Sequence, residues 1–135
     1  LICHGLKHIA PWGELLSTRA SYLEAGGCIT DGSVRDIKMI REMGFPVFAG
    51  NISPLDSKYR GKLMWTDVPG KICGVNIKSG DLIFGDIDGV VVIPNEHIEI
   101  TLEKAFDKVS KENIVRLKLK EGQSLERIFA DHGIL

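Results

Sequence analysis

Two short segments carry the side chains best suited to chemistry, Gly13-Glu14-Leu15-Leu16-Ser17 and Asp31-Gly32-Ser33-Val34-Arg35-Asp36. Each places polar groups where a helix is expected to begin, and a helix N-terminus offers free N–H groups and the positive end of its dipole to an anion. Arg35 supplies a forked donor for a carboxylate. Asp36 beside it supplies a hard oxygen ligand for a divalent ion. A structural reading stands next to this one: Glu14, Asp31 and Asp36 favour helix starts, and Arg35 pairs with one of them.

Other candidates are weaker. Gly80 to Pro94 contains Asp81, Asp86 and Asp88, which could ligate a metal but read more simply as turn residues flanking a buried strand. Cys3, His4 and His8 have some metal-ligand character, yet Gly5 and Pro11 argue against the helix that would align the histidines. His97 and His132 lie in helical segments without companions and read as surface residues. The charge-rich stretch from Glu103 to Arg127 reads as the solvated face of a helix. Neither a phosphate-binding glycine loop nor a GxSxG nucleophile elbow occurs. The three cysteines, Cys3, Cys28 and Cys73, form no CxxC pair and read as reduced thiols of a cytoplasmic protein.

The elements that must position these residues alternate at first. Residues 14–24 read as a helix stopped by Gly26-Gly27, and Cys28-Ile29-Thr30 as a buried strand broken at Asp31-Gly32. Ser33 is expected to cap a helix running to Met43, and residues 45–49 form the next strand. Gly50 to Lys62 reads as a long loop, the kind that has a job or a partner to cover it. Four strands are then expected, at 62–68, 72–77, 81–85 and 89–93, in a meander or small barrel with Val90 to Ile93 as a central strand. Asn95 is expected to cap a helix to about Glu121, with Ile98, Leu102, Ala105, Phe106 and Val109 as its apolar stripe. Ser124 starts a last helix that buries Leu125, Ile128 and Phe129 and ends at Gly133.

A chain of 135 residues with 44% apolar and 26% charged residues is one globular α/β domain's worth of sequence, not a disordered or disulfide-dense one. Seventeen basic against eighteen acidic residues give a net charge of -1, so neither nucleic acid nor an anionic membrane is an expected partner. The apolar runs are too short to span a bilayer and no signal peptide is visible.

Five stretches in order resemble the RraA-like family, which contains 4-hydroxy-4-methyl-2-oxoglutarate aldolases and regulators of ribonuclease activity. They are Trp12 to Ser17, Thr30 to Asp36, Gly44 to Ala49, Ser53 to Lys58, and Gly80 to Pro94; the tail from Leu119 to Leu135 also looks like the family's ending. The aldolase branch carries an acid, twenty intervening residues and then Arg-Asp, and here Glu14 precedes Arg35-Asp36 by Leu15 to Val34. The acid is Glu where many members have Asp. After Ala49 the chain has Gly50-Asn51 where the family often shows a basic residue and Gly.

The resemblance implies a three-layer β/β/α swivelling-type domain over residues 1–135, lacking an upstream part that family members carry, with an open edge and exposed apolar surface as the consequence. It implies a Mg²⁺- or Mn²⁺-dependent, pyruvate-forming carbon–carbon lyase of the class II type, cleaving 4-hydroxy-4-methyl-2-oxoglutarate and decarboxylating oxaloacetate. By the same resemblance Asp36 anchors the metal through one direct ligand plus waters, and Arg35 holds the carboxylate of a small 2-oxo acid. Gly13 and the backbone amides near Leu15 and Leu16 help bind it. Glu14 orients or deprotonates a metal-bound water, and Glu112 from a neighbouring subunit completes the metal shell. A homotrimer or a hexamer is expected. The other branch implies instead a non-catalytic module that binds and inhibits a ribonuclease.

Overall fold

The computed structural model describes residues 2–133, apart from the side chain of His132, so the expected exposure of that histidine lies outside the described residues. The chain divides into two compact units, residues 1–92 and 93–135.

The first unit is built on a three-stranded parallel sheet in the order β1 (Ile2–Cys3), β2 (Cys28–Val34), β3 (Val47–Ile52). Parallel neighbours need a crossover, and helices α1 (Glu14–Tyr22) and α2 (Ile37–Met43) supply it. Their inner faces meet the sheet in one cluster of Trp12, Ala20, Cys28, Val34, Ile40 and Phe45. The Trp12 and Phe45 rings stack with centroids 6.4 Å apart. Gly44 ends α2 at φ 72, a conformation that glycine adopts without a Cβ penalty.

Strand β2 is longer than the sequence suggests. Asp31-Gly32 does not break it. The strand shifts register between Thr30 and Ser33 and resumes pairing with β3. The Gly32 N–H turns in to the Thr30 hydroxyl at 3.0 Å, and a Cβ on Gly32 would stand 2.8 Å from the Gly5 backbone. The turn signal marks a bulge inside a strand, a known use of glycine. Ser33 is therefore a fully buried strand residue rather than a helix cap, and α2 begins three residues later than that cap implied.

The middle segment is less sheet-rich than expected. Residues 62–68 form no strand. Residues 70–77 fold as a hairpin of β4 (Gly70–Ile72) and β5 (Val75–Ile77), turned by Cys73 and Gly74 at φ 47 and 86. Paired positive φ values match the tight turn that suits twisted strands. Among the described residues β6 (Leu82–Gly85) and β7 (Val90–Ile93) pair only with each other, so the apolar run at 90–93 is not a central strand there. Gly85 lies flat against the Phe48 ring of β3 and leaves no room for a side chain. The Asp86 carboxylate accepts the Asp88 N–H at 2.8 Å, the turn chemistry that the sequence favoured over metal ligation.

In the second unit, Asn95 opens a 3₁₀ turn (Asn95–His97) rather than capping the long helix α3 (Ile98–Lys120). The expected stripe on α3 is largely exposed, with Phe106 at 69% and Val109 at 52%; Val115 is the buried position. Gly122 at φ 86 follows its end. Ser124 caps α4 (Leu125–His132) by accepting the Arg127 N–H. Ile128 is fully buried there, whereas Leu125 and Phe129 are more than half exposed. Pairs of Lys108 with Glu112 and Lys111 with Asp107, each four residues apart, line the charged face as expected. Among the described residues no helix is long and apolar enough to cross a membrane.

Candidate active site

Twenty residues separate Glu14 from Arg35, and the fold turns that interval into a return trip. From Trp12 the chain enters α1, descends, and comes back up through β2. Trp12 then lies alongside Val34 in a parallel bridge, and its carbonyl accepts the Arg35 N–H at 3.1 Å. The two segments begin a helix two and three residues beyond this bridge. The starts of α1 and α2 are thereby placed side by side, beyond the carboxyl end of β2, where open α/β sheets characteristically bind ligands.

Asp36 occupies the N-cap position of α2 but does not cap it. Its backbone is left-handed at φ 58, which aspartate tolerates better than most residues. Its carboxylate reaches the start of α1 instead, where Oδ2 accepts the Glu14 N–H at 3.2 Å. The same oxygen lies 3.3 Å from Arg35 Nε. Arg35 Nη1 in turn faces Asp56 Oδ2 at 3.5 Å. Gly13 is closed over by this group: a Cβ there would stand 2.7 Å from Asp36 Oδ2 and 2.9 Å from Arg35 Nε.

The entry to α1 is fixed from beneath. Ser17 is fully buried, donates to the Gly13 carbonyl at 3.0 Å and accepts the Trp12 indole N–H at 2.8 Å. Asp36 takes the first N–H of α1, that of Glu14, and Gly13 has no side chain to reach the next ones, so the N–H groups of Leu15 and Leu16 have no partner among the described residues. Both residues expose their side chains.

The structure thus brings together Gly13, Arg35, Asp36 and the first-turn backbone of α1. It does not bring the Glu14 carboxylate to them. Glu14 Oε1 accepts the Thr18 hydroxyl at 2.8 Å along its own helix, so the contact of Glu14 with Asp36 is through the main chain. Glu112 belongs to the second unit and pairs there with Lys108 at 3.5 Å. Asp56 is not singled out by residue type or spacing; its signals are the length of the loop that holds it and its place in the family-like stretch Ser53 to Lys58.

The donor set suits a hard cation. Asp36 is half-exposed, and its Oδ1 accepts no hydrogen bond among the described residues. No three His, Cys, Asp or Glu side chains converge among those residues. A divalent ion here would take one carboxylate from this chain and keep waters in other positions, the manner in which Mg²⁺ is commonly held.

Asp31 lies in the β2 bulge, apart from this group. Burial pushes its carboxyl up, but the Gly5 N–H at 2.9 Å, the His4 ring at 2.8 Å and the Cys73 N–H outweigh that and hold it below its ordinary value. His4 is therefore a partner of Asp31. Burial foremost raises both neighbouring thiols, Cys28 to about 12.

The model of the RraA-like family (Aldolase/RraA) matches residues 1–92, the whole of the first unit. An uncharacterized protein of Methanocaldococcus jannaschii, MJ0644, is 36% identical over 95% of this chain and 61% of its own length. The 4-hydroxy-4-methyl-2-oxoglutarate aldolase of Thermus thermophilus is 34% identical over 50% of this chain and 41% of its own. A crystal structure of an uncharacterized protein from Pseudomonas syringae pv. tomato superposes with TM-score 0.90 at 26% identity, over 96% of this chain and 62% of that one. The RNA-processing inhibitor RraA of Thermus thermophilus superposes with TM-score 0.62 at 31% identity, over 70% of this chain and 58% of that one. The chain thus spans less than two thirds of each of these relatives. With an α/β sheet carrying Trp12 to Ser17 and Thr30 to Asp36 to one place, and a family model over two thirds of its length, this chain belongs to the RraA-like family.

Proposed function

We propose that this chain forms the catalytic core of a divalent-metal-dependent, pyruvate-forming lyase that cleaves 4-hydroxy-4-methyl-2-oxoglutarate-type substrates and decarboxylates oxaloacetate. The observation that carries the reading is the meeting of Arg35 and Asp36 with the open start of α1. Asp36 would hold Mg²⁺ or Mn²⁺. When bound, the ion supplies Lewis acidity, drawing charge out of a 2-oxo acid as its distal carbon–carbon bond breaks.

The chain's own residues do the rest. Arg35 Nη2 has no acceptor among the described residues and receives the substrate carboxylate. The Leu15 and Leu16 N–H groups add neutral donors at the positive end of α1. Their hold fixes the substrate's orientation before any bond breaks, and such positioning can lower a barrier by several kcal/mol. Glu14 is the proton-handling candidate by its spacing from Arg35-Asp36, and its carboxylate would have to turn from Thr18 toward Asp36 to act there. Glu112 is proposed to act across a subunit boundary, in a homotrimer or hexamer.

The test is pyruvate formation from oxaloacetate with Mg²⁺, with and without chelator. Chelation is expected to abolish turnover, and so is Asp36→Ala. Turnover that ignores chelation, or full activity of Asp36→Ala, overturns the reading. The likeness to the RNA-processing inhibitor favours a second one, protein binding to a ribonuclease without lyase activity. Stoichiometric capture of a ribonuclease by a chain that makes no pyruvate would establish it.

A further inference from the structure

We infer that Asp56 is a positioning residue for Arg35, a role that rests on Arg35 receiving the substrate carboxylate. A long, half-exposed arginine has many rotamers, and ordering it costs entropy that substrate binding would otherwise have to supply. Here the guanidinium is gripped on two of its three nitrogens. Asp36 Oδ2 stands 3.3 Å from Nε and Asp56 Oδ2 stands 3.5 Å from Nη1, which orients the plane and leaves Nη2 open.

Asp56 is itself held, which is what a positioning group requires. Its Oδ1 accepts the Lys58 N–H at 3.0 Å and lies 3.4 Å from Arg60 Nη1. Its main chain bridges to buried Ala10, whose N–H donates to the Leu55 carbonyl at 2.7 Å. One carboxylate oxygen is spent on its own loop and the other is turned to Arg35. The strands beneath α1 and α2 thus reach Arg35 by a second route, through the segment after β3. This gives a task to the long loop expected at Gly50 to Lys62, whose first three residues belong to β3.

The experiment compares the unsubstituted protein with Asp56→Asn and Asp56→Glu. Asp56→Asn keeps the size and removes the charge. The expected result is a KM for oxaloacetate raised about threefold, the scale of a half-exposed ion pair, with kcat changed much less. Pyruvate binding should weaken by the same factor. Asp56→Glu restores the charge and should recover most of the affinity. Independently of catalysis, NMR of the Arg35 guanidinium should show slow rotation about Cζ–Nη in the unsubstituted protein and faster rotation in Asp56→Asn. Unchanged KM and pyruvate affinity in Asp56→Asn overturn the inference, whether or not rotation changes, and so does an Asp56→Glu variant no better than Asp56→Asn. A failed lyase reading is told apart, because then the unsubstituted protein itself forms no pyruvate; the substrate role of Asp56 falls with it, and the NMR result still reports the restraint.

Discussion

Gly13 has an extended backbone that any residue can adopt, so its requirement for glycine is one of space alone. A methyl group there would press on Asp36 Oδ2 and Arg35 Nε, at 2.7 and 2.9 Å. Gly13→Ala is expected to fold, because the contacts are with partly exposed side-chain ends, and to lose about 10²-fold in pyruvate formation through displacement of both groups. Steady-state assays and a thermal melt on one sample separate the two effects. Asp36 makes a complementary case. At φ 58 alanine is strained by about 1 kcal/mol and glycine is not. Urea unfolding should therefore find Asp36→Gly the more stable of the two variants, while both lose metal-dependent turnover. The roles of Arg35 and Asp36 as the forked donor and the hard ligand were legible from residue type. The direction of the Asp36 side chain was not, because it depends on a left-handed backbone that only the meeting of the two helix starts supports.

At the scale of elements, α1 is set by its buried entry. Ser17→Ala would leave the Trp12 indole N–H without its acceptor in a closed site, at a cost of about 1–3 kcal/mol. Denaturant unfolding measures it, and a loss within a few tenths of zero would mean that water replaces the hydroxyl. The sheet makes its own prediction through Cys28, raised by burial to about 12 from an ordinary 9.0. The folded chain keeps this thiol protonated where the unfolded chain ionises it. Its contribution is full below pH 9 and is lost as pH climbs toward about 12. Stability should fall more steeply across that window than in Cys28→Ala, as read from urea midpoints at several pH values. Helix α1, strand β3 and α4 with its Ser124 cap stand close to where periodicity put them. The β2 bulge escaped because Asp-Gly signals a turn equally well inside a strand and at its end, and the neighbour that decides, Gly5, is 27 positions away.

At the scale of the whole molecule, the apolar stripe of α3 is exposed in the single chain, as are Leu63 and Trp65 after β3. Surface of this extent calls for a covering. We expect sedimentation to show a trimer or a pair of trimers, and Phe106→Asp on the exposed α3 stripe to shift that mass downward. A monomer at micromolar concentration would remove the basis for placing Glu112 at a neighbouring site.

Local chemistry alone determined a good deal: an α/β chain, the starts of α1 and α4, the glycine stops, the candidate pair at 35–36, and the family through motifs in order. These are short-range properties, written in residue type and in spacing over a few turns. The tertiary structure alone decided that Glu14 meets Asp36 by its main chain and that Asp56 grips Arg35. It also decided that Ser33 is core and that the run at 90–93 pairs on one side only. Each of those depends on which distant segment lies alongside, and contacts of that range are set by packing of the whole unit, for which no local pattern carries a signal.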